Sequence, residues 1–166
     1  MKTLQNFLTD LGVRESGGKY NILNKFGYAG KYQMGEMALV DAGYYIKPNR
    51  KYNNDWSGKF LGKDGVNSIQ DFLNNPQAQE NAQIIYKKKQ WTYLKATGAD
   101  KYIGKIINGF IITPSGLLAA AHLKGAGSVI KYLKSNGQIV EKDGFGTSVE
   151  NYMKKFAGYD VSLLIQ

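Results

Sequence analysis

The chain contains no cysteine among its 166 residues, which excludes a disulfide framework, a thiolate-held zinc and a thiol redox site. It is silent on redox compartment, except that folding needs no oxidising one. A single histidine, His122, excludes a histidine-rich metal site, and any Ser-His-Asp triad would have to use that one ring. Nothing pairs a serine with it, and no Gly-x-Ser-x-Gly elbow occurs. Both phosphate-cradling patterns, Gly-x-Gly-x-x-Gly and Gly-x-x-x-x-Gly-Lys-Ser/Thr, are missing. No apolar run approaches the roughly 18 residues of a membrane span; the longest lie near Ile106–Ile112 and Leu117–Ala121. The opening MKTLQNFLTDLGVRE lacks an apolar h-region and a small-residue cleavage site, so a signal peptide is not expected. There is no internal repeat and no long linker, and the length suits one domain with its own core, spanning 1–166.

What is present begins with charge. Lys and Arg outnumber Asp and Glu by 22 to 13, a formal net charge of +9, which suits a polyanion: nucleic acid, an anionic lipid surface, or a bacterial wall with its peptide carboxylates and teichoic acids. A solvated basic surface is the plain alternative. Nucleic-acid binding is disfavoured because the tyrosines cluster with glycines and amides rather than with the lysines of 87–89.

Hydrophobic spacing predicts a mainly α fold. Leu4, Phe7, Leu8 and Leu11 mark a first helix to about Arg14, and Met37, Leu39 and Val40 mark another within 35–44. A polar excursion over 46–67 carries Trp56 and Phe60 as anchors. Ser68 to Asp71 reads as a capped helix entry, Pro76 opens a long helix to Thr97, and Gly98 closes it. Ile103, Ile106 and Ile107 suggest a short helix. Thr113-Pro114 starts a helix through Leu123, Gly125–Gly127 breaks it, and Thr147 to Glu150 forms a capping box before a last helix. A small β-hairpin within 17–34 is compatible with the glycine-rich pattern there.

By elimination the chemistry available is that of carboxylates, and Glu15 is the leading candidate. A glutamate at a helix C-terminus faces the negative end of the helix dipole, and apolar neighbours add desolvation; both favour the protonated form a general acid needs. On position alone, an exposed charge pairing with Arg14 or Lys19 is the alternative.

The segments RESGG (14–18) and GYAGKYQMG (27–35) resemble the first two motifs of lysozyme-like muramidases, specifically the goose-type lysozyme and soluble lytic transglycosylase group. There a Glu-Ser pair ends a helix, as Glu15-Ser16 is expected to, and a Gly-x-x-Gln segment follows, here Gly30-Lys31-Tyr32-Gln33. Lys31-Tyr32 replaces the family's apolar pair, and no proline follows. The third motif, Ala-Tyr-Asn, is matched by AAAHLKGAG with His122 at the aromatic position and Leu123 for Asn; the fourth, a tyrosine in the last helix, by Tyr152. Phage-associated and secretion-system wall hydrolases are similar more broadly, over most of 13–157, including AGYY, DFLNNPQAQENA and LAAAHLKGAGSV.

The resemblance implies an α+β lysozyme-like helical domain with a small β-hairpin beside a cleft. Its implied activity is cleavage of the β-1,4 bond between N-acetylmuramic acid and N-acetylglucosamine, with Glu15 as acid and then base. Ser16, Tyr28, Gly30, Tyr32, Gln33, Met34, His122 and Tyr152 would bind the glycan; core packing is the alternative for Tyr28, and a structural histidine for His122. A hydrolase would need a second carboxylate, about 5–5.5 Å away for retention or roughly 6.5–9.5 Å for inversion. Inverting phage lysozymes place an aspartate nine positions on, where this chain has Asn24. Glu36 is the candidate second carboxylate, with a first-turn glutamate favoured by the helix dipole as its alternative reading. A one-carboxylate lytic transglycosylase is therefore preferred over a hydrolase. A noncatalytic wall-glycan-binding module of the same fold and a chitinase-like glycosidase are the rivals. No cofactor, metal, nucleic acid or membrane insertion is implied. The partners are peptidoglycan strands and whatever delivers a leaderless cytoplasmic product to the wall or periplasm: a holin, a tail or a secretion apparatus.

Overall fold

The computed structural model describes residues 2–166. Among them are seven α-helices and two antiparallel two-stranded sheets: α1 (Leu4–Ser16), α2 (Glu36–Asp41), β1 (Tyr45–Ile46), β2 (Lys59–Phe60), α3 (Ile69–Leu73), α4 (Pro76–Thr97), β3 (Ile106–Ile107), β4 (Phe110–Ile111), α5 (Pro114–Lys124), α6 (Ala126–Lys134) and α7 (Val149–Lys155). The fold is mainly α, as its sequence predicts. Two compact units divide the chain, one formed by Thr9–Tyr86 and the other by 2–8 with Lys87–Gln166, the divisions falling inside α1 and α4. No helix among the described residues is long and apolar enough to cross a membrane.

In the Thr9–Tyr86 unit the core gathers Leu11, Tyr32, Leu39, Tyr44 and Phe72, all buried. Trp56 and Phe60 anchor the polar excursion by ring contact with Tyr45, at centroid distances of 5.3 and 4.8 Å, where β1 pairs with β2. Ser68 caps α3 by accepting from the Asp71 amide (3.1 Å), while Asp71 accepts from the Asn67 amide (2.9 Å). Asn75 caps α4 through the Ala78 amide, with Pro76 at the first helical position. The segment 17–34 forms no strand pair; only isolated bridges, Leu23 with Ala29 and Ala29 with Met34, join its turns. The chain there is too tightly curved to run a ladder, and the expected hairpin is reduced to those bridges.

In the other unit α5 is buried all round from Ser115 to Ala121 and packs on α6 and α7, the behaviour of a helix apolar on every side. Thr113 caps it by accepting from the Gly116 amide (3.2 Å). Phe7, Phe156 and Tyr159 form an edge-on ring cluster. Two expectations need correction. Ile106-Ile107 is not helical but strand β3, because Asn108 (φ 49°) and Gly109 (φ 83°) take the two left-handed positions of a tight hairpin turn. The cap of α7 is Ser148, bonded to the Asn151 amide (3.0 Å), not Thr147. Glu150 instead accepts from the Tyr132 hydroxyl and from Asn108, both at 2.6 Å.

Candidate functional site

α1 runs to Ser16, two residues past the end predicted near Arg14, so Glu15 lies within its last turn; it is half-buried. Beside it Ser16 latches the helix end. Its hydroxyl donates to the Lys31 carbonyl (2.7 Å), has the Gly12 carbonyl at 3.1 Å, and accepts from the Lys19 amide (3.1 Å). The Glu-Ser pair and the Gly-x-x-Gln segment are thus joined by one side chain.

The segment 30–33 is a turn in which the Gln33 amide bonds the Gly30 carbonyl (3.1 Å), Gln33 itself taking a left-handed φ of 51°. The half-buried Gln33 carboxamide donates back to the same carbonyl (3.0 Å). Gly30 also has a positive φ, 75°, and a Cβ there would overlap the Gln79 carboxamide. That carboxamide, on α4, ties three segments together. It accepts from the Lys31 amide (2.9 Å) and donates to the carbonyls of Tyr20 (3.0 Å) and Phe72 (2.8 Å). Only glycine lets the turn approach it so closely.

One residue further along α4, Glu80 receives the Tyr20 hydroxyl (2.6 Å), the Tyr32 hydroxyl (2.6 Å) and the Lys31 ammonium (2.8 Å). Burial would raise its carboxyl, but the bonds from Lys31, Tyr20 and Tyr32 outweigh that and hold it below the usual range. Burial likewise opposes the Lys31 charge, yet Glu80 and Tyr20 leave its ammonium raised. Glu80 is an ionised clamp that orients Lys31 and Tyr32.

Those partners revise several expected glycan contacts. Tyr32 is 1% exposed with its hydroxyl committed to Glu80, so it is core and not a sugar-facing wall. Met34, also 1% exposed, is core as well. Ser16 and the backbone of Gly30 act as architecture through the latch and the turn. Tyr28, at 39% exposed, is the one tyrosine of the expected set that offers a ring face to solvent, with Phe26 exposed two residues earlier. Asn24, standing where an inverting lysozyme has aspartate, uses its side-chain oxygen to receive the Phe26 and Tyr28 amides, both at 2.9 Å. It shapes the turn that presents those two rings.

Glu36, the candidate second carboxylate, is closed off from solvent and fully engaged. It is fully buried at the start of α2 and takes five hydrogen bonds. They come from the Tyr45 hydroxyl (2.6 Å), both Arg50 terminal nitrogens (3.2 and 3.1 Å), and the amides of Asn53 (3.1 Å) and Asn54 (2.7 Å). Burial pushes its carboxyl up, but Tyr45, Arg50 and the two amides more than offset this and keep it low. Asn54 also accepts from the Glu36 amide (2.8 Å) and donates to the Phe26 carbonyl (3.3 Å), fastening α2 to the 26–28 turn.

The two remaining expected residues belong to the other unit. Tyr152, 2% exposed, stacks edge-on with Phe156 at 5.2 Å and is a core ring. His122 is half-buried, its Nδ1 2.8 Å from the ammonium of Lys87, which is completely buried and also bonds Gln90 (2.7 Å). That contact ties the ring to α4 through Lys87. Lys87 therefore does not extend a surface lysine stripe. No group of three or more acidic or histidine side chains that could hold a metal occurs among the described residues.

The sequence reading missed Gln79, Glu80, Asn54 and Arg50. A signal for Gln79 was present: Gln79, Gln83, Lys87 and Gln90 recur at helical spacing on the same stretch as Ala78, Ala82 and Tyr86. Polar residues in an apolar stripe mark a buried network. Asn54 and Arg50 sit in a loop without periodicity and left no such trace. In comparison with known proteins, the chain matches no protein-family model, no curated protein and no solved structure.

Proposed function

We propose that this chain is a peptidoglycan-degrading muramidase acting as a lytic transglycosylase, with Glu15 as its general acid and base. The observation that carries the reading is the Glu15-Ser16 pair in the last turn of α1, latched by Ser16 to the Gly30–Gln33 turn. The resemblance in RESGG and GYAGKYQMG gains support because those two segments, fifteen residues apart, are neighbours through that bond. Protonated Glu15 gives its proton to the glycosidic oxygen as the C1–O bond breaks. The resulting carboxylate then removes the C6 hydroxyl proton while O6 closes on C1, giving a 1,6-anhydro end and consuming no water.

The one-carboxylate course is favoured over hydrolysis because Glu36 is saturated by five donors and Asn24 by two backbone amides. The +9 charge suits an anionic wall, and the exposed rings of Tyr28 and Phe26 suit the C–H faces of sugars. Glu15→Gln keeps shape and hydrogen bonding but cannot serve as the same acid. It should stop clearing of purified peptidoglycan; clearing at the parental rate would refute the mechanism. Failure of both proteins to clear would favour a glycan-binding module of the same fold.

A further inference from the structure

Gln83 has an unusual position on α4. It is 0% exposed, and neither its carboxamide nitrogen nor its carboxamide oxygen has a hydrogen-bond partner among the described residues. The other buried polar side chains of the stripe are engaged: Gln79 with Lys31, Tyr20 and Phe72, and Gln90 with Lys87. Folded proteins leave very few buried polar atoms without a partner, and an amide orphaned at both ends is a cost that the fold itself does not explain. Gln83 lies one turn beyond Gln79 and Glu80, the residues that hold Lys31, whose carbonyl in turn holds Ser16 beside Glu15.

We propose that Gln83 is a specificity residue that recognises the acetamido group of the glycan. The inference rests on the muramidase reading above. An N-acetyl group presents one N–H donor and one carbonyl acceptor on a flat amide, the complement of the acceptor and donor that Gln83 leaves unused. Because the carboxamide is 0% exposed, recognition requires its side chain to turn toward the sugar on binding. A glucose unit offers a single hydroxyl oxygen in place of the acetamido group, which cannot reproduce the paired donor-and-acceptor geometry of a flat amide, and sites of this kind discriminate strongly against the analogue lacking the matching group.

The test measures binding in a Glu15→Gln background, so that no cleavage interferes. The probes are two neutral ligands, the β-1,4 tetramer of N-acetylglucosamine and the β-1,4 tetramer of glucose. The Glu15→Gln protein should prefer the acetylated tetramer by about tenfold or more. Adding Gln83→Met should bring that preference close to unity while the thermal midpoint stays level or rises, since an unmet buried amide has been removed. A retained preference would overturn the role of Gln83 alone, leaving the muramidase reading intact. A pronounced fall in the thermal midpoint would overturn it too, by showing that the fold uses the amide. Binding of neither tetramer by the Glu15→Gln protein would overturn both. In the Gln83-intact protein the side-chain amide protons of Gln83, identified by their loss in Gln83→Met, should shift on adding the acetylated tetramer; unmoved signals at saturation would also contradict the assignment.

Discussion

Glu15 and Glu36 are glutamates at opposite kinds of helix end, and their surroundings separate them. Glu36 sits at the start of α2, where the dipole and five donors favour its charge, and it holds the 50–54 loop in place. Glu15 sits in the last turn of α1, half-buried beside the Ser16 latch. Glu15→Gln should lower the rate of glycan cleavage by at least about 100-fold, with a thermal midpoint close to the parent's. Glu36→Gln should do the reverse. It should cost about 3 kcal/mol of stability, because Arg50 and two amides lose a charged acceptor, while cleavage per folded molecule persists below the unfolding transition. Loss of cleavage in a well-folded Glu36→Gln protein would return Glu36 to the chemistry. Gly30→Ala combines a left-handed φ with a clash on Gln79 and should cost roughly 1–3 kcal/mol, read from the urea midpoint.

At the level of elements, the hairpin β3–β4 depends on Asn108 twice. The residue takes a left-handed turn position, and its side chain donates to Glu150 (2.6 Å) and the Gly137 carbonyl (3.2 Å). Asn108→Ala should therefore destabilise by about 1 kcal/mol or more in urea unfolding; an unchanged midpoint would show that the turn is held by Gly109 alone. This hairpin was legible in the sequence, since Asn-Gly between Ile-Ile and Phe-Ile is a strong local turn signal, but isoleucines at helical spacing compete with it. Elements with local punctuation emerged clearly: α5 from Thr113-Pro114, α4 from Pro76 and Gly98, α3 from Ser68. The site was legible only in part. Glu15 at a helix end follows from local spacing, whereas the burial of Tyr32 and Glu36 depends on Glu80, Arg50 and Asn54, which are distant in sequence and meet them only in the folded chain.

Across the whole molecule, the ionised clamps set a pH range for stability. Glu36 and Glu80 both titrate below the ordinary carboxylate range in the fold. Their contribution is complete above the unfolded value of about 4.3 and is lost as pH falls through their lower folded values. On the alkaline side Lys31 is raised, and burial, followed by Glu36, pushes the Tyr45 hydroxyl up to about 12. Their contribution is complete below the unfolded values near 10 and is lost as pH rises through the folded ones. Denaturant midpoints should accordingly be flat between about pH 5 and 9 and fall on both sides, and Glu80→Gln should flatten the acid limb; an unchanged acid limb would remove Glu80 as its source. The proposed role of Glu15 is read most directly from the mass of the muropeptides released from purified peptidoglycan. The parent should release products carrying anhydro ends, lighter by one water than reducing ends, and Glu15→Gln should release none. Reducing ends would replace the transglycosylase with a hydrolase, and the same products from both proteins would contradict the role of Glu15.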